Sequence, residues 1–293
     1  MAVQFRYKGV DYPNAVELAK AIPLLTSVMV GWYDGAEVLC ANAAAICYDT
    51  PVKTVLVGND RIEPNNLGKK IIKHCRDSHH NTVIEHGMAT FVKKVPIFVA
   101  RQDLRARIAS FDERSLRYCR ATDGGLTYWI PDYLSEENIR KAMAEDESKG
   151  RFLERMRADW IDQHERTIQF YSKYTDEELN EMYDALGLDG ERVRETVRAS
   201  LPLGINTMYM DSRNLWSWIH HSEKRLCLRA QKEIRLIRRQ EVNQLKKVFP
   251  TIFGDVNMPC YMASGCPEVK KCGLIKLEDT GRWALPFYKK MQG

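Results

Sequence analysis

The sequence predicts an α+β fold, a sheet combined with several long helices, on the strength of three stretches. Met88–Val95 alternates apolar and polar side chains with the period of a half-buried strand. Ser135, followed by Glu136 and Glu137, has the pattern of a helix cap and opens a helical stretch that runs to Tyr174. Arg213–Val248 is amphipathic at helical spacing and is ended by Pro250.

The other elements follow in chain order. Val3–Tyr7 reads as a short β-like start and Asn14 to Leu25 as a helix, so residues 1–27 are expected to form an N-terminal extension. Ala36–Cys47 reads as an alanine-rich helix and Leu67–Ser78 as another, followed by the polar turn His79-His80-Asn81-Thr82. Pro96 closes the strand that begins at Met88, and Ile97–Arg107 has helical spacing. Leu126–Pro131 is a short aromatic strand candidate. Asp176–Ala185 and Glu191–Ser200 are further helices, Pro202 and Gly204 break the pattern, and Ile205–Met210 reads as extended. Ser212 is expected to cap the helix that follows. Residues 28–250 are expected to form the main domain and 251–293 a loop-rich, cysteine-containing extension.

With 293 residues, 44% of them hydrophobic and 28% charged, the chain can build a sizeable core. Its 44 basic and 39 acidic residues leave a net charge of +5. That balance suits a nucleic-acid binder or an enzyme for phosphorylated substrates, so the placement of the arginines matters more than their number. Met1–Val10 has no apolar core segment, so no secretory leader is expected, and Ala21–Trp32 is too short to span a bilayer and contains Pro23. The cytoplasm is the expected compartment and no membrane partner is expected. Cys40, Cys47, Cys75, Cys119 and Cys227 then read as reduced thiols.

The segment from Arg101 to Tyr118 carries the chemistry. Arg101, Arg105, Arg107, Arg114 and Arg117 fall within it, together with Gln102 and Ser115. A guanidinium matches phosphate oxygens two at a time, so such a segment can hold a nucleotide phosphate without a glycine-rich loop. The chain has neither the dinucleotide-binding fingerprint nor the P-loop. Charge runs are more often solvated helix faces, here balanced by Asp103, Asp112 and Glu113. A nucleic-acid patch would spread its basic groups along a face with stacking aromatics, whereas these are compact and mixed with acids.

This segment resembles the signature of the flavin-dependent thymidylate synthases. There an Arg-His-Arg triplet is followed, after seven intervening residues, by Ser and then Arg-Tyr; here Arg105-Ala106-Arg107 precedes Ser115 and Arg117-Tyr118 at that spacing, with Gln102 three residues ahead. Upstream, His80-Asn81-Thr82-Val83-Ile84-Glu85-His86 is similar to the family's His-x-Ser/Thr-x-x-Glu-His segment. Downstream, Arg198-Ala199-Ser200-Leu201-Pro202 is similar to Arg-x-x-Leu-Pro, and Asn214, Arg225 and Ala230-Gln231-Lys232-Glu233-Ile234 match in order and spacing. The resemblance runs from about Val28 to Pro250.

The resemblance implies a central, mostly antiparallel sheet with long helices, a homotetramer with sites at subunit interfaces, and small-molecule nucleotide and folate partners. It implies C5 methylation of dUMP to dTMP, with methylenetetrahydrofolate supplying the carbon and FAD, reduced by NADPH, supplying the hydride. Carried over residue by residue, Arg225 is the catalytic cation beside the uracil ring. Gln102, Arg105, Glu113, Ser115, Arg117, Arg198 and Arg225 hold dUMP, with Arg117 and Arg198 on the phosphate. His80, Thr82, Glu85, Arg105, Arg107, Glu113, Asn214 and His220 contact FAD. No cysteine need act as nucleophile, and Ser115 is a ligand.

Several positions depart from the family pattern. Ala106 replaces the central histidine of the signature, Trp216 stands where arginine is usual, and His220 stands where asparagine is common. Ala45 also replaces an arginine, whereas Cys47 is within family range. The first three fall on the flavin side of the expected site. Two readings therefore stay open beside dUMP methylation: C5 hydroxymethylation, or reaction on another pyrimidine nucleotide such as UMP or dCMP. A third, a catalytically inactive nucleic-acid-binding protein, is opposed by the retention of Gln102, Arg105, Ser115, Arg117, Arg198 and Arg225; nucleic acid is not an expected partner.

Cys260, Cys266 and Cys272 are spaced Cys-x5-Cys-x5-Cys, looser than the pairs of a structural zinc site, and no fourth ligand is evident in the sequence. His79, His80 and His86, and likewise His220 and His221, lie close in sequence without showing convergence. No metal is expected.

Overall fold

The computed structural model describes residues 2–57, 61–261, 266, 269–270 and 272. The chain forms two compact units, one from Met1–Lys93, Gln102–Asp112 and Tyr209–Gly293, the other from Lys94–Arg101 and Glu113–Met208. In chain order the strands are β1 (Ala2–Val3), β2 (Arg6–Tyr7), β3 (Val10–Asp11), β4 (Thr26–Trp32), β5 (Thr54–Val57), β6 (Arg61–Pro64), β7 (Met88–Pro96), β8 (Ser110–Glu113) and β9 (Asn206–Asn214). The helices are α1 (Ala15–Ala21), α2 (Ala36–Tyr48), α3 (Asn66–Asp77), α4 (Ile97–Asp103), α5 (Glu136–Glu145), α6 (Glu147–Tyr174), α7 (Asn180–Ala185), α8 (Gly190–Val197), α9 (Leu215–Leu226), α10 (Lys232–Val248) and α11 (Pro250–Phe253). A five-stranded, mostly antiparallel sheet has the order β1-β4-β7-β9-β8, and β2–β3 and β5–β6 are separate antiparallel pairs. The α+β expectation holds.

In the first unit, β4 is buried along almost its whole length, so it reads in sequence as an apolar run rather than an alternation. β1 covers only its far end, pairing Ala2 with Trp32 and Val3 with Gly31. Glutamine side chains of α10 bond the earlier backbone: Ser27 N–H donates to Gln240 Oε1 (3.0 Å), Met29 N–H donates to Gln244 Oε1 (2.8 Å), and Gln244 Nε2 returns a bond to the Ser27 carbonyl (2.9 Å). An edge that would otherwise expose unpaired backbone is thereby closed. The core gathers the alanine face of α2 with Ile72, Phe91, Trp218, Leu245 and Phe253. Each large apolar side chain sealed from water contributes about 1.5–3 kcal/mol. Gly87 lets the start of β7 approach α2 and α9, since a Cβ there would lie 2.5 Å from Leu215 Cδ1 and 2.8 Å from Ala36 Cβ. The buried Glu37 carboxylate accepts from Thr251 N (2.6 Å) and Ile252 N (3.0 Å), fixing α11 against α2.

The second unit is mainly helical. Ser135 caps α5 as expected, accepting from Asn138 N (3.3 Å), but the helical stretch does not run unbroken to Tyr174. Asp146 has extended backbone (φ −158°, ψ 110°) and its carboxylate caps α6 by accepting from Ser148 N (2.9 Å) and Lys149 N (3.3 Å). Gly150 of α6 then meets Met143 of α5 closely enough that any Cβ would collide. Leu126–Pro131 is not a strand, since it makes one isolated bridge, Tyr128 with Ile205. Its aromatic residues instead pack on α6. Tyr128 stacks on His164 (4.9 Å), His164 stacks on Trp160 (4.9 Å), and Trp129 meets Trp160 edge-on (5.8 Å).

Two other sequence expectations are corrected. The helix expected from Ser212 starts later: β9 continues through Asn214, whose side chain caps α9 by accepting from Ser217 N (2.7 Å). It also ends at Leu226, and α10 begins afresh at Lys232. The helical spacing of Ile97–Arg107 stops at Asp103, because that carboxylate is drawn into the interior. No helix among the described residues is long and apolar enough to cross a membrane.

Candidate active site

The arginine segment is organised by Asp103. Its side chain is wholly buried and accepts from Tyr209 Oη (2.8 Å), Arg213 Nη2 (2.9 Å), Arg238 Nη2 (2.6 Å) and the Lys93 ammonium. With Asp103 turned inward, the chain leaves α4 and Ala106 N–H bonds the Asp103 carbonyl (3.1 Å). Arg105 and Arg107 then point to solvent and carry no ion pair among the described residues.

Behind them lies a closed set of charges. Lys93 reaches Asp211 (2.5 Å) and Glu241 (2.7 Å) as well as Asp103, while Arg213 bonds Asp211 (2.5 Å) and Arg238 meets Glu241 (2.8 Å). Three cations thus face three carboxylates around the Trp218 ring, with Arg213 4.5 Å from its centroid and Arg238 5.1 Å. Burial alone would lower the Lys93 pKa, but Asp103, Asp211 and Glu241 overcome it and raise it. Burial likewise opposes ionisation of Asp103, yet Lys93, Arg238 and Arg213 hold its carboxyl well below the usual range. His221 is pushed far down, first by burial and then by Arg238 and Arg213, so its ring is neutral. Both arginines donate to its Nδ1 (2.7 Å each), which leaves the proton on the buried Nε2. Asp103, Asp211 and Glu241 are the only three potential ligands among the described residues whose atoms lie within 4.8 Å of one another. The Lys93 ammonium bonds all three and already supplies the positive charge that a cation would bring.

Arg225, near the end of α9, differs from these buried cations. Its Nη2 donates to the Gln102 carbonyl (2.8 Å), its buried Nε has no hydrogen-bond partner, and it has no carboxylate partner among the described residues. Burial lowers its pKa; Asp103 opposes this, while Arg238 and Arg213 add to it. A guanidinium in such a field gains from an incoming anion. The Gln102 side chain is tied to Gln231 (2.7 Å) just ahead of α10.

The 3-10 turn Asn81–His86 packs against α9 and α2. It buries Val83 and Ile84 and exposes His80, Thr82 and Glu85. Three residues per turn put Thr82 and Glu85 on one edge. On α9, Trp216 and His220 lie 6.1 Å apart with ring planes inclined by 31°. Burial and Lys224 lower the His220 pKa, so this imidazole is also neutral. Asn214 spends its side-chain oxygen on the helix cap and keeps its amide N–H groups.

The second unit holds Glu113, Ser115, Arg117 and Arg198. Arg117, four residues after β8, and Arg198, in the turn after α8, both reach Glu195. Arg117 pairs with Glu191 (2.6 Å) and Glu195 (3.4 Å), and Arg198 Nε donates to the Glu195 carbonyl (3.3 Å). Ser115 Oγ accepts from Arg117 N (3.3 Å), and Glu113 accepts from Thr207 Oγ1 (2.8 Å).

Residues 28–251 match the family model for thymidylate synthase complementing protein. The chain belongs to that family. Among proteins named flavin-dependent thymidylate synthase, it is 32% identical to one from Thermosipho africanus over 222 residues, 75% of this chain and 85% of that protein. It is 28% identical to one from Nitratidesulfovibrio vulgaris, covering 70% of this chain and 75% of the relative, and 27% identical to one from Clostridium tetani, covering 81% and 88%. In this member of the thymidylate synthase complementing proteins, the Asp103 network escaped sequence reasoning altogether. A signal was present: Lys93 sits inside strand β7, which is buried from Phe91 to Pro96 rather than on one face only, and Asp211 and Arg213 share one face of β9 with Tyr209. Ionisable residues at inward strand positions need buried partners.

Proposed function

We propose that the chain converts dUMP to dTMP by methylating C5, with methylenetetrahydrofolate as carbon donor and NADPH-reduced FAD as hydride source. It acts as a homotetramer whose sites draw on more than one subunit. The observation that carries this reading is Arg225, a partly buried guanidinium held by a backbone carbonyl, with no carboxylate partner among the described residues. Family membership and the flavin-dependent relatives support it.

Uracil C5 becomes nucleophilic as negative charge spreads over the ring. Arg225 stabilises that charge at the N3/O4 or O2 edge, and its fixed position avoids reorganisation during the step. Arg117 and Arg198 take the phosphate. Glu191 and Glu195 hold Arg117 until the phosphate oxygens replace them. Gln102, Arg105, Glu113 and Ser115 complete the nucleotide contacts. The residues fit a flavin dinucleotide: Arg105 and Arg107 present exposed guanidinium groups for its diphosphate, and His80, Thr82, Glu85, Glu113, Asn214 and His220 offer donors and acceptors. Ala106 offers neither; Trp216 and His220, whose rings lie 6.1 Å apart on α9, are the candidates to replace part of that contact. Reduced FAD supplies the hydride that completes the methyl group.

The test is product mass. Purified protein is incubated anaerobically with FAD, NADPH, methylenetetrahydrofolate and a panel of pyrimidine nucleotides. Methylated dUMP is the expected product. A hydroxymethylated product, a product from UMP or dCMP alone, or no product at all contradicts the proposal.

A further inference from the structure

We propose that Arg213 and Arg238 are positioning residues for Arg225: each bonds His221 on α9 and Asp103 beside Gln102 at once, and so fixes where the Arg225 guanidinium stands against the carbonyl that holds it. The effect on turnover rests on the proposed methylation of dUMP. The hydrogen bond from Arg225 Nη2 to the Gln102 carbonyl (2.8 Å) joins two separate pieces of chain, α9 and the end of α4. A cation held in this way is only as well placed as those two pieces are relative to each other. On α9, Trp218, His221 and Arg225 are spaced i, i+3 and i+7 and share one stripe. One turn before Arg225, His221 Nδ1 accepts from Arg213 Nη1 and Arg238 Nη2 (2.7 Å each). On the other piece, Asp103 Oδ1 accepts from Arg213 Nη2 (2.9 Å) and from the same Arg238 Nη2 (2.6 Å).

The same two guanidinium groups therefore grip both sides of the junction. His221 Nδ1 and Asp103 Oδ1 lie 3.4 Å apart. Both are acceptors, since the imidazole is neutral and the carboxyl ionised, and they would repel one another without shared donors between them. Arginine suits the task because its donors form a rigid planar fork, whereas a lysine ammonium is a point charge. Neither arginine is free to drift. Arg213 is bound to Asp211 on its own strand (2.7 and 2.5 Å), and Arg238 meets Glu241 (2.8 Å) one turn along α10. Two further contacts tighten the junction. Gln102 Nε2 donates to Gln231 Oε1 (2.7 Å), and Ser217 Oγ, one turn before His221, donates to the Ile108 carbonyl (2.5 Å). The exposed Arg105 and Arg107 are thus strung between anchored ends at Asp103 and Ile108, in the same frame as Arg225.

The experiment uses the full chain and three variants. Arg238→Lys keeps the buried charge but not the fork, His221→Asn keeps an acceptor for the arginines, and Ile72→Val is a core change on α3 outside the junction. Arginine labelling by phenylglyoxal is read peptide by peptide, with the exposed Arg155 of α6 as internal reference. Arg238→Lys should raise Arg225 labelling by about fivefold, the equivalent of one lost hydrogen bond, while His221→Asn and Ile72→Val leave it within about twofold. Single-turnover product formation should fall at least about tenfold in Arg238→Lys, with dUMP affinity within a few-fold of the unmodified chain, as expected for a displaced cation. Unchanged Arg225 labelling in Arg238→Lys, or an equal rise in Ile72→Val, overturns the coupling. Raised labelling with an unchanged single-turnover rate overturns its role in the reaction. If the unmodified chain makes no product, the dUMP reading fails and the labelling alone decides the coupling. If Arg238→Lys does not fold, a crystal structure of the ligand-free unmodified chain decides: Arg225 ordered on the Gln102 carbonyl supports the proposal, and Arg225 turned away from it overturns it.

Discussion

Asp103 and Arg105 are two residues apart and live in opposite worlds. Asp103 is sealed from solvent and bound by four donors from β7, β9 and α10, whereas Arg105 is exposed and carries no ion pair among the described residues. The contrast extends to their surroundings. Lys93, Arg213 and Arg238 spend their charge on Asp103, Asp211 and Glu241; Arg105, Arg107 and Arg225 have no carboxylate partner among the described residues. Paired buried charges cost desolvation and set geometry. Unpaired cations at a partly open surface are available to a substrate. On the proposed function, the buried pairs are the support and the exposed cations the working parts within one short stretch of chain.

That contrast is most severely tested by Asp103→Asn. Three buried cations would lose part of their compensation, and stability should fall by about 3–5 kcal/mol in chemical denaturation. Arg105→Ala, by comparison, should move stability by no more than about 0.5 kcal/mol while weakening FAD retention. Equal stability losses in the two variants would erase the distinction. Next in size is a pH effect. Folded His221 stays neutral, but the unfolded chain protonates this imidazole below about pH 6.5. The unfolded state then binds the extra proton, so stability falls as pH drops through that range, by up to about 1.4 kcal/mol per pH unit from this residue. Above it His221 contributes no slope. His221→Asn, which keeps an acceptor for the arginines, should flatten the melting temperature between pH 5 and 6.5; an unchanged slope would exclude His221 as its source.

Much of this organisation is visible in the sequence, and the losses have physical causes. The alternation of Met88–Val95 revealed β7, and Ser135 marked the start of α5, because these signals are local. β4 escaped because both its faces are covered, and the break at Asp146 escaped because one residue both ends α5 and caps α6. The extent of β9 was missed because Asp211 and Arg213 are held there by Lys93 and Asp103, partners remote in sequence. Of the site, the arginine signature and the segment from His80 to Glu85 were legible as motifs. The exposure of Arg105 and Arg107 and the bare Nε of Arg225 were not, since they depend on which neighbours the fold withholds.

Two smaller effects sharpen the comparison on the working side. Arg117→Ala should weaken dUMP binding by about tenfold, measured by calorimetry, if the phosphate replaces Glu191 and Glu195. Unchanged affinity would leave Arg117 as a surface ion pair only. Ala106→His should tighten FAD binding by a few-fold at most, roughly one added hydrogen bond. No gain would mean that Trp216 and His220 already supply the missing contact.

The most direct measurement of the central claim is single-turnover product formation by Arg225→Ala, with dUMP affinity and melting temperature recorded on the same sample. A cation that stabilises charge only in the transition state predicts a rate loss of at least about a hundredfold with the fold intact and nucleotide still bound. Turnover within a few-fold of the unmodified chain would contradict the assignment of Arg225 to the chemistry.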